Sequence, residues 1–273
     1  MKIIMKNNKK RLKITILRPS GNDTALIEGL VEKAKRKSIN DAILKRFPKV
    51  EQVGFYEYDK QKNLARLEMA GGEFCGNATR SLAYLLLNGK RGTTVIKASG
   101  AKKLLKAGVN KSNFAYAEMP IYKTSNSITQ LSSSLYQVRL EGIVHLITPN
   151  NQSYSKPKLK KEARRLLKKT ALLYSQPASG VMFVDSSKEM INLQPVVWVR
   201  DIQTLFCETA CASGTTAVGL WKMKDLELKN ASFEILQPSK QCIKVFIEKE
   251  GKRFKTAIID GPIKIVAVKE VVL

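Results

Sequence analysis

The sequence predicts an α+β protein of two pseudo-symmetric domains, each a mostly antiparallel sheet around a helix, with a cleft between them. Three observations support this fold class. The chain has 273 residues, which is enough for two domains of ordinary size. Its apolar residues recur in short runs between turn residues, as they do in strands. A cysteine followed by small residues and an apolar helical pattern occurs twice, at Cys75 and Cys211, almost half a chain apart.

The first half of the chain combines strand patterns with helical ones. Helices are predicted where apolar residues recur every three to four positions, over Ile27–Phe47 as one or two helices and over Asn77–Leu87. Strands are predicted at Leu12–Leu17, Val53–Tyr58, Leu64–Met69, Thr93–Ala98 and Phe114–Met119.

The second half repeats this organisation. Helices are predicted over Thr215–Leu226 and over Lys158–Tyr174, in which four residues form an apolar stripe: Leu159, Ala163, Leu166 and Leu167. Strands are predicted at Val138–Ile147, Val181–Val184, Pro195–Val199, Phe233–Leu236, Ile243–Ile247 and Thr256–Ile259. The Ser-rich stretch Thr124–Leu135 separates the halves, so we expect domains at residues 1–130 and 131–273.

Composition excludes several classes of protein. Hydrophobic residues make up 44% of the chain and charged residues 26%, which is ordinary for a soluble globular protein and excludes a disordered one. No run approaches the ~20 apolar residues that a membrane-spanning helix needs. The basic N-terminus lacks the apolar core of a secretory signal, so we expect a cytoplasmic protein with reduced cysteines.

The charge balance is the abnormal feature of the composition. Lys and Arg number 48 against 23 Asp and Glu, a net charge of +25. One interpretation is a basic nucleic-acid-binding protein, which a steep salt dependence of DNA or RNA retention would support. The cations are scattered rather than clustered with stacking aromatics, so nucleic acid is not the partner we expect. A single histidine, His145, and the absence of a C-x-x-C spacing argue against metal sites.

The two cysteine motifs predict a specific chemistry. Each cysteine precedes a helix whose free N–H groups and dipole favour a thiolate and bind an anion such as a carboxylate. If the two helix starts face each other, one carboxylate is held between them and the two sulfurs flank the adjacent carbon. Such a site suits removal of an amino-acid α-proton on one face and its return on the other, with no pyridoxal phosphate. The alternative is that both cysteines are small buried residues near turns.

The motifs also resemble a known family. The segments GEFCGNAT around Cys75 and ETACASGTT around Cys211 are similar to the paired cysteine motifs of the diaminopimelate epimerase family of cofactor-independent amino-acid racemases. The segments PSGND and EQVGF, and the VH-x-x-x-P pattern at His145–Pro149, extend the resemblance. Within the family, the chain is most similar to the histidine racemases that supply D-histidine for opine-metallophore biosynthesis.

The resemblance implies roles for nine residues. Cys75 and Cys211 correspond to the two acid/base residues, in an active site that lies in the cleft. The substrate-binding residues that it implies are Asn22, Gln52, Gly76, Asn77, Glu208, Ser213 and Gly214. Glu208 is expected to meet the amino group of the substrate, and Gly76, Asn77, Ser213 and Gly214 its carboxylate.

Departures from the family pattern bear on the substrate. Diaminopimelate epimerases carry a Glu-Arg pair that holds the far end of the substrate, and this chain reads Ile202-Gln203 at that place. In addition, Glu68 would repel a second carboxylate if it faces the pocket. Histidine is therefore the expected substrate, with Gln52 and Glu51 as candidate partners of the imidazole. Diaminopimelate epimerase is the alternative. A phenazine-type isomerase on the same fold is disfavoured because it uses a carboxylate in place of the two thiols.

Several further expectations complete the prediction. His145 and Cys207 are expected to be buried packing residues, and Glu51 either binds substrate or caps a turn. The partner is a small-molecule amino acid, and we expect no cofactor, no metal ion and no membrane partner. We also expect a homodimer.

Overall fold

The computed structural model describes residues 11–150, 154–187, 190–224 and 226–272. The basic segment 1–10, on which the expected lack of a secretory signal depends, lies outside them. Within this part of the chain, strands predominate over helices, and no helix has both the length and the apolar character needed to cross a membrane.

The elements of the N-terminal half follow the predicted order. Its strands are β1 (Arg11–Leu17), β2 (Asp23–Glu28), β3 (Val50–Asp59), β4 (Leu64–Met69), β5 (Gly92–Ala98), β6 (Leu105–Val109) and β7 (Ala115–Glu118). Its helices are α1 (Lys33–Arg46), between β2 and β3, and α2 (Gly76–Leu86), between β4 and β5.

The C-terminal half contains the remaining elements. Its strands are β8 (Ile128–Ser132), β9 (Leu135–Leu140), β10 (Ile143–Pro149), β11 (Ala178–Asp185), β12 (Ile191–Val199), β13 (Thr204–Cys207), β14 (Asn230–Leu236), β15 (Cys242–Glu250), β16 (Arg253–Gly261) and β17 (Ile265–Val272). Its helices are α3 (Lys156–Lys169), α4 (Leu172–Ser175) and α5 (Ala212–Met223).

The two halves share one pattern of strand pairing. In the first half, β2 pairs parallel with β3, β3 antiparallel with β4, β4 parallel with β5, and β5 and β7 antiparallel with β6. The second half repeats this series in the same order. There, β10 pairs parallel with β11, β11 antiparallel with β12, β12 parallel with β14, and β14 and β16 antiparallel with β15. Most pairings are antiparallel, and α2 and α5 each pack on the strands of their own half. The predicted fold class is thereby confirmed.

The strands also connect the halves. The last strands of the two series, β7 and β16, pair antiparallel, and β17 pairs with β1. The division of the chain at residue 130 stays a prediction, since strand pairing alone does not define independent domains.

A main hydrophobic core surrounds α2 and α5, and a second core lies beneath α3. The apolar stripe predicted for α3 is confirmed, because its four residues are the buried ones of this helix. They pack on Val144, Val181 and Phe183 of the sheet. The basic side chains of α3 lie on the opposite, solvated face, as expected for an amphipathic helix.

Two predicted elements are wrong in extent. Residues 27–32 do not belong to a helix, because Ile27 lies in β2, which is buried between β1 and β3 and therefore lacks the apolar-polar alternation of a half-exposed strand. The predicted strand Val138–Ile147 is a hairpin of β9 and β10, which turns at Gly142 with φ +75°. Sequence periodicity also missed five strands, namely β2, β6, β8, β13 and β17.

Candidate active site

Cys75 and Cys211 occupy equivalent positions at the starts of α2 and α5. Each is the N-cap residue, with φ/ψ of −130°/109° at Cys75 and −129°/106° at Cys211. The Cys75 sulfur accepts the N–H of Ala78 at 3.3 Å, and the Cys211 sulfur accepts that of Gly214 at 3.3 Å. The motif repeat seen in the sequence is therefore a repeat of three-dimensional structure.

The two helix starts meet. A Cβ added to Gly76 would lie 2.9 Å from the Cβ of Ala212, so glycine permits this close approach. The side chain of Asn77 donates to the carbonyl of Ala210 at 2.9 Å and ties the start of α2 to the loop before α5. The first-turn N–H groups of both helices consequently face one region, which is an arrangement that binds an anion.

Both sulfurs line one partly open pocket. Five of the seven predicted substrate-binding residues also line it, namely Gln52, Gly76, Asn77, Glu208 and Ser213. The rest of the described lining is acidic at Glu51 and Glu73, and mainly apolar elsewhere: Val53, Ala70, Phe74, Ile143, Val197, Val199, Ile202, Thr204, Phe206 and Ala212. No lysine or arginine contributes to this lining, although the chain carries 48 of them.

Asn22 and Gly214 lie behind the pocket wall. Asn22 is fully buried and donates to Glu51 at 2.7 Å and to the carbonyl of Ala210 at 3.2 Å. Gly214 leaves no room for a side chain, because a Cβ there would lie 2.2 Å from the sulfur of Met182. Direct contact of these two residues with substrate stays a prediction.

A hydrogen-bonded chain links Cys75 to Glu208. The Cys75 thiol donates to Oε1 of Gln52 at 2.9 Å, and Nε2 of Gln52 donates to Oε1 of Glu208 at 2.8 Å. The other Glu208 oxygen is buried with no well-formed hydrogen bond in the described structure, and the nearby Cys211 thiol interacts with the Glu208 carboxyl strongly enough for each group to shift the pKa of the other. It is available for a donor of the substrate, such as an ammonium group.

Burial dominates the ionisation of the two thiols. It raises the pKa of Cys75 and of Cys211 well above the free value, and the negative charge of Glu208 raises both further. The N–H groups of Ala78 and Gly214 act in the opposite direction but are outweighed. The expectation that the helix starts lower the thiol pKa is therefore wrong for the substrate-free pocket. A cation entering the pocket would favour the thiolate.

The acidic residues of the pocket are also perturbed. Burial raises the pKa of Glu208 to about 8, with a further contribution from the charge of Glu51. Burial likewise raises the pKa of Glu51 and that of Glu73 to about 7. Such carboxyls gain most from a bound cation, because it compensates the cost of holding their charge away from water.

Glu51 has the structural one of the two roles predicted for it, whereas its contact with the substrate stays a prediction. It lines the pocket, and it also accepts the N–H of Thr209 at 3.1 Å and the Thr209 hydroxyl at 2.7 Å. With the bond from Asn22, these contacts commit Glu51 to holding the loop before Cys211.

His145 is fully buried, as predicted, but it is not the fully satisfied core residue that was expected, because its Nδ1 has no hydrogen-bond partner in the described structure. Its Nε2 lies 3.0 Å from the hydroxyl of Ser213, which is 3.6 Å from the Cys211 sulfur. Burial lowers the pKa of His145 to about 3, so the ring is neutral. Cys207 is partly buried, packs against the second core beneath α3 and lies outside the pocket lining, so its predicted role as a packing cysteine is confirmed.

Two sequence inferences about the side-chain end of the pocket have different outcomes. Ile202, at the position of the family's Glu, lines the pocket, whereas Gln203, at the position of the family's Arg, is exposed and outside the lining, so no cation stands there. Glu68 does not, because it pairs with Arg36 at 3.2 Å and with Arg66 at 2.9 Å on the outer side of β4. Sequence reasoning missed Glu73, whose signal was a lone charge among the small and apolar residues of the first cysteine motif.

Oxidation is expected to inactivate the protein reversibly. Both sulfurs open into one pocket, so cleft closure without substrate brings them within bonding reach. Peptide mass spectrometry after mild oxidation should find a Cys75–Cys211 disulfide, and reductant should restore activity. The Cys75→Ser variant is the control that cannot form the link. Inactivated protein in which both thiols are still free would contradict this expectation.

Stability should depend on pH through Glu208. Its pKa is raised from 4.5 to about 8 in the folded state, so the folded protein holds an extra proton between these values and its stability falls as pH rises. Glu208→Gln lacks this effect, so the melting temperature of the variant relative to the parent should rise from pH 5 to pH 8.5.

A control for this pH effect lies on the surface. In Glu162→Gln the trend should not appear, because the hydrogen bond from Arg165 lowers the pKa of Glu162. A difference in melting temperature between Glu208→Gln and the parent that is independent of pH would contradict the ionisation assigned to Glu208.

Comparison with known proteins places these features in context. A family model described as histidine racemase CntK N-terminal domain matches residues 11–271. A histidine racemase of Fusobacterium nucleatum is 32% identical over 263 residues, covering 92% of this chain and 93% of that protein. A histidine racemase of Staphylococcus aureus is 26% identical over 271 residues, covering 93% of this chain and 98% of that protein.

Solved structures share the fold at low sequence identity. A hydroxyproline epimerase from Agrobacterium vitis superposes with a TM-score of 0.65 at 12% identity, covering 98% of this chain and 94% of that one. A phenazine biosynthesis protein of the PhzF family from Bacillus anthracis gives 0.64 at 12% identity, covering 97% and 100%. At such identities the likeness shows the fold alone.

Proposed function

The chain belongs to the family of the histidine racemase CntK N-terminal domain, and from that premise we propose that it interconverts L- and D-histidine without a cofactor. The observation that carries the proposal is the matched pair of N-cap cysteines, Cys75 and Cys211, which open into one acidic pocket from two helix starts that meet. A two-base racemase needs an acid and a base on opposite faces of one carbon, and this pair supplies them.

The substrate carboxylate binds at the paired helix starts. The N–H groups of Gly76 and Asn77 on α2, and of Ala212 and Ser213 on α5, precede those that bond to the sulfurs, and first-turn N–H groups have no partner within their own helix. Their orientation and the two helix dipoles favour a negative charge between them. The same donors stabilise the enolate-like charge that develops on the carboxylate as the α-proton leaves.

The ammonium group of the substrate pairs with Glu208. The free Glu208 oxygen accepts it, while Gln52 holds the other oxygen in place. The positive charge compensates the acidic pocket and lowers the pKa of both thiols, which are protonated in the substrate-free protein. Substrate binding thus generates the thiolate that the reaction requires.

Proton transfer then proceeds across the α-carbon. The thiolate on one face takes the α-proton, so a C–H bond breaks and an S–H bond forms. The thiol on the other face donates its proton to the carbanion, which restores the C–H bond with inverted configuration. The two sulfurs exchange roles when D-histidine reacts, and no redox partner is needed.

Solvent-isotope exchange tests the proposed function directly. The reduced protein, without added cofactor, is incubated in D₂O with each L-amino acid and with LL-diaminopimelate. Mass spectrometry should find an α-deuteron and the D-enantiomer with histidine. The protein carrying both Cys75→Ser and Cys211→Ser is the control for background exchange. Histidine that stays undeuterated would overturn the proposal.

A further inference from the structure

Glu73 is a pocket residue to which the proposed proton transfer assigns no role. It lies two positions before Cys75, on the loop between β4 and α2, and it is buried. Ser99 fixes this loop, because its hydroxyl donates to the Glu73 carbonyl at 2.7 Å and accepts the N–H of Met69 at 3.0 Å. The side chain is therefore held in the wall by a rigid backbone.

The Glu73 carboxyl is unsatisfied on one side. Its Oε2 is buried and has no hydrogen-bond partner in the part of the chain that the structure describes. The acidic groups that act on it include Asp201, which is itself paired with Lys33 and Arg200. Burial raises the pKa of this carboxyl by more than the hydrogen bonds from the backbone N–H groups of Glu73 and Gly71 lower it. A buried carboxyl in a structural role is normally paired or fully hydrogen-bonded, whereas this one has no ion pair in the described structure and keeps one oxygen without a partner.

The unsatisfied oxygen lies in a space that Gly71 and Val199 border. A Cβ on Gly71 would lie 2.7 Å from Oε2 of Glu73 and 2.3 Å from a methyl carbon of Val199. Glycine at 71 thus leaves the space that the carboxyl and Val199 share. Apolar side chains from the β12–β13 region, Val197, Ile202 and Phe206, complete this part of the pocket wall.

Glu73 stands apart from the group assigned to the ammonium. Gln52, Glu208 and Cys75 are linked by hydrogen bonds. Beyond the larger effect of burial, the charge of Glu73 raises the pKa of Cys75 and of Glu208, but in the described structure no hydrogen bond joins its side chain to them. A carboxyl oxygen without a partner beside apolar walls matches a flat ring with an N–H at its edge. The apolar walls contact the ring faces, and the carboxyl accepts the N–H.

We infer that Glu73 is a specificity residue, which accepts a hydrogen bond from the side-chain N–H of the substrate and so selects amino acids with an imidazole or similar N–H-bearing side chain. This inference rests on the proposed racemase function and adds the group that recognises the side chain. A site built to pair such an N–H discriminates strongly against substrates that lack it, because its own polar group is then left unsatisfied.

Two propionates test the inference on the unaltered protein. Imidazolepropionate and phenylpropionate share the carboxylate and a flat ring, lack the ammonium group, and differ in the ring N–H. Both compounds should inhibit histidine α-deuteration, and the inhibition constant of imidazolepropionate should be at least ~10-fold lower than that of phenylpropionate. Equal inhibition by the two compounds would overturn the inference while leaving the racemase function intact.

Substitution supplies the second test. Glu73→Gln should lower kcat/KM for L-histidine relative to that for L-alanine by at least ~10-fold, because alanine offers no side-chain N–H. Glu68→Gln, which removes a carboxyl that pairs with Arg36 and Arg66 outside the pocket lining, should leave the ratio unchanged. An unchanged ratio in folded Glu73→Gln overturns the inference. Absence of histidine deuteration by the parent protein overturns the proposed function and this inference together.

Discussion

Cys75→Ser and Cys211→Ser should each lower kcat for histidine racemisation by about 10²–10⁴-fold, the range that a general acid or base contributes. An alcohol is a far weaker acid than a thiol, so serine provides no comparable base near neutral pH. The equivalent N-cap geometry of the two cysteines predicts losses of similar size. Chiral chromatography of the product over time measures both variants.

The matched control for these variants is Cys207→Ser. Cys207 lies only four positions before Cys211 but outside the described pocket lining, so its removal should leave kcat within a few-fold of the parent value. Near-normal turnover by either Cys75→Ser or Cys211→Ser would refute the two-thiol mechanism. A loss confined to one of the two would show that only one sulfur takes part in proton transfer.

L-Histidine should have a kcat/KM at least ~100-fold higher than that of LL-diaminopimelate, equivalent to about 2.7 kcal/mol of transition-state discrimination. Diaminopimelate brings a second carboxylate, and the described lining holds no lysine or arginine to pair with it. Glu73 would repel it, which is the role that the sequence had conditionally given to Glu68. An unpaired buried charge costs several kcal/mol.

The measurement needs defined salt and a length control. The net charge of +25 attracts carboxylates at long range and diaminopimelate carries a second one, so both substrates are compared at physiological ionic strength, where this field is screened. L-Lysine is the control, because it has a long cationic side chain without the second carboxylate. Equal or greater efficiency with LL-diaminopimelate would refute the preference for histidine and restore the epimerase alternative.

The acidic pocket contrasts with the basic surface of the protein. Surface lysines attract anionic molecules, whereas Glu51, Glu73 and Glu208 surround a buried space that gains from a cation. In the proposed binding mode, the carboxylate of the amino acid lies at the helix starts, and its ammonium group supplies the cation and pairs with Glu208. Net charge therefore does not predict the charge of this site, because a few buried groups determine the local potential.

The local sequence was sufficient to predict those features whose pattern lies within one helix or strand. The period of apolar residues predicted α3 and its buried stripe, and the cysteine motifs at 75 and 211 identified both helix starts. The spacing of the two motifs predicted the pseudo-symmetry that the strand pairing confirms. Hydrophobic period, small residues and capping chemistry act over a few neighbouring positions and are visible in one sequence.

Tertiary structure decided what depends on groups far apart in the chain. Only the fold shows that β2 is buried between two neighbours, and that Glu51 holds the loop at Thr209. It also reverses the expected shift of thiol pKa and reveals the unsatisfied carboxyl of Glu73. The physical reason is that burial and electrostatic potential sum over atoms from every surrounding element, whereas the helix-start effect comes from a single turn.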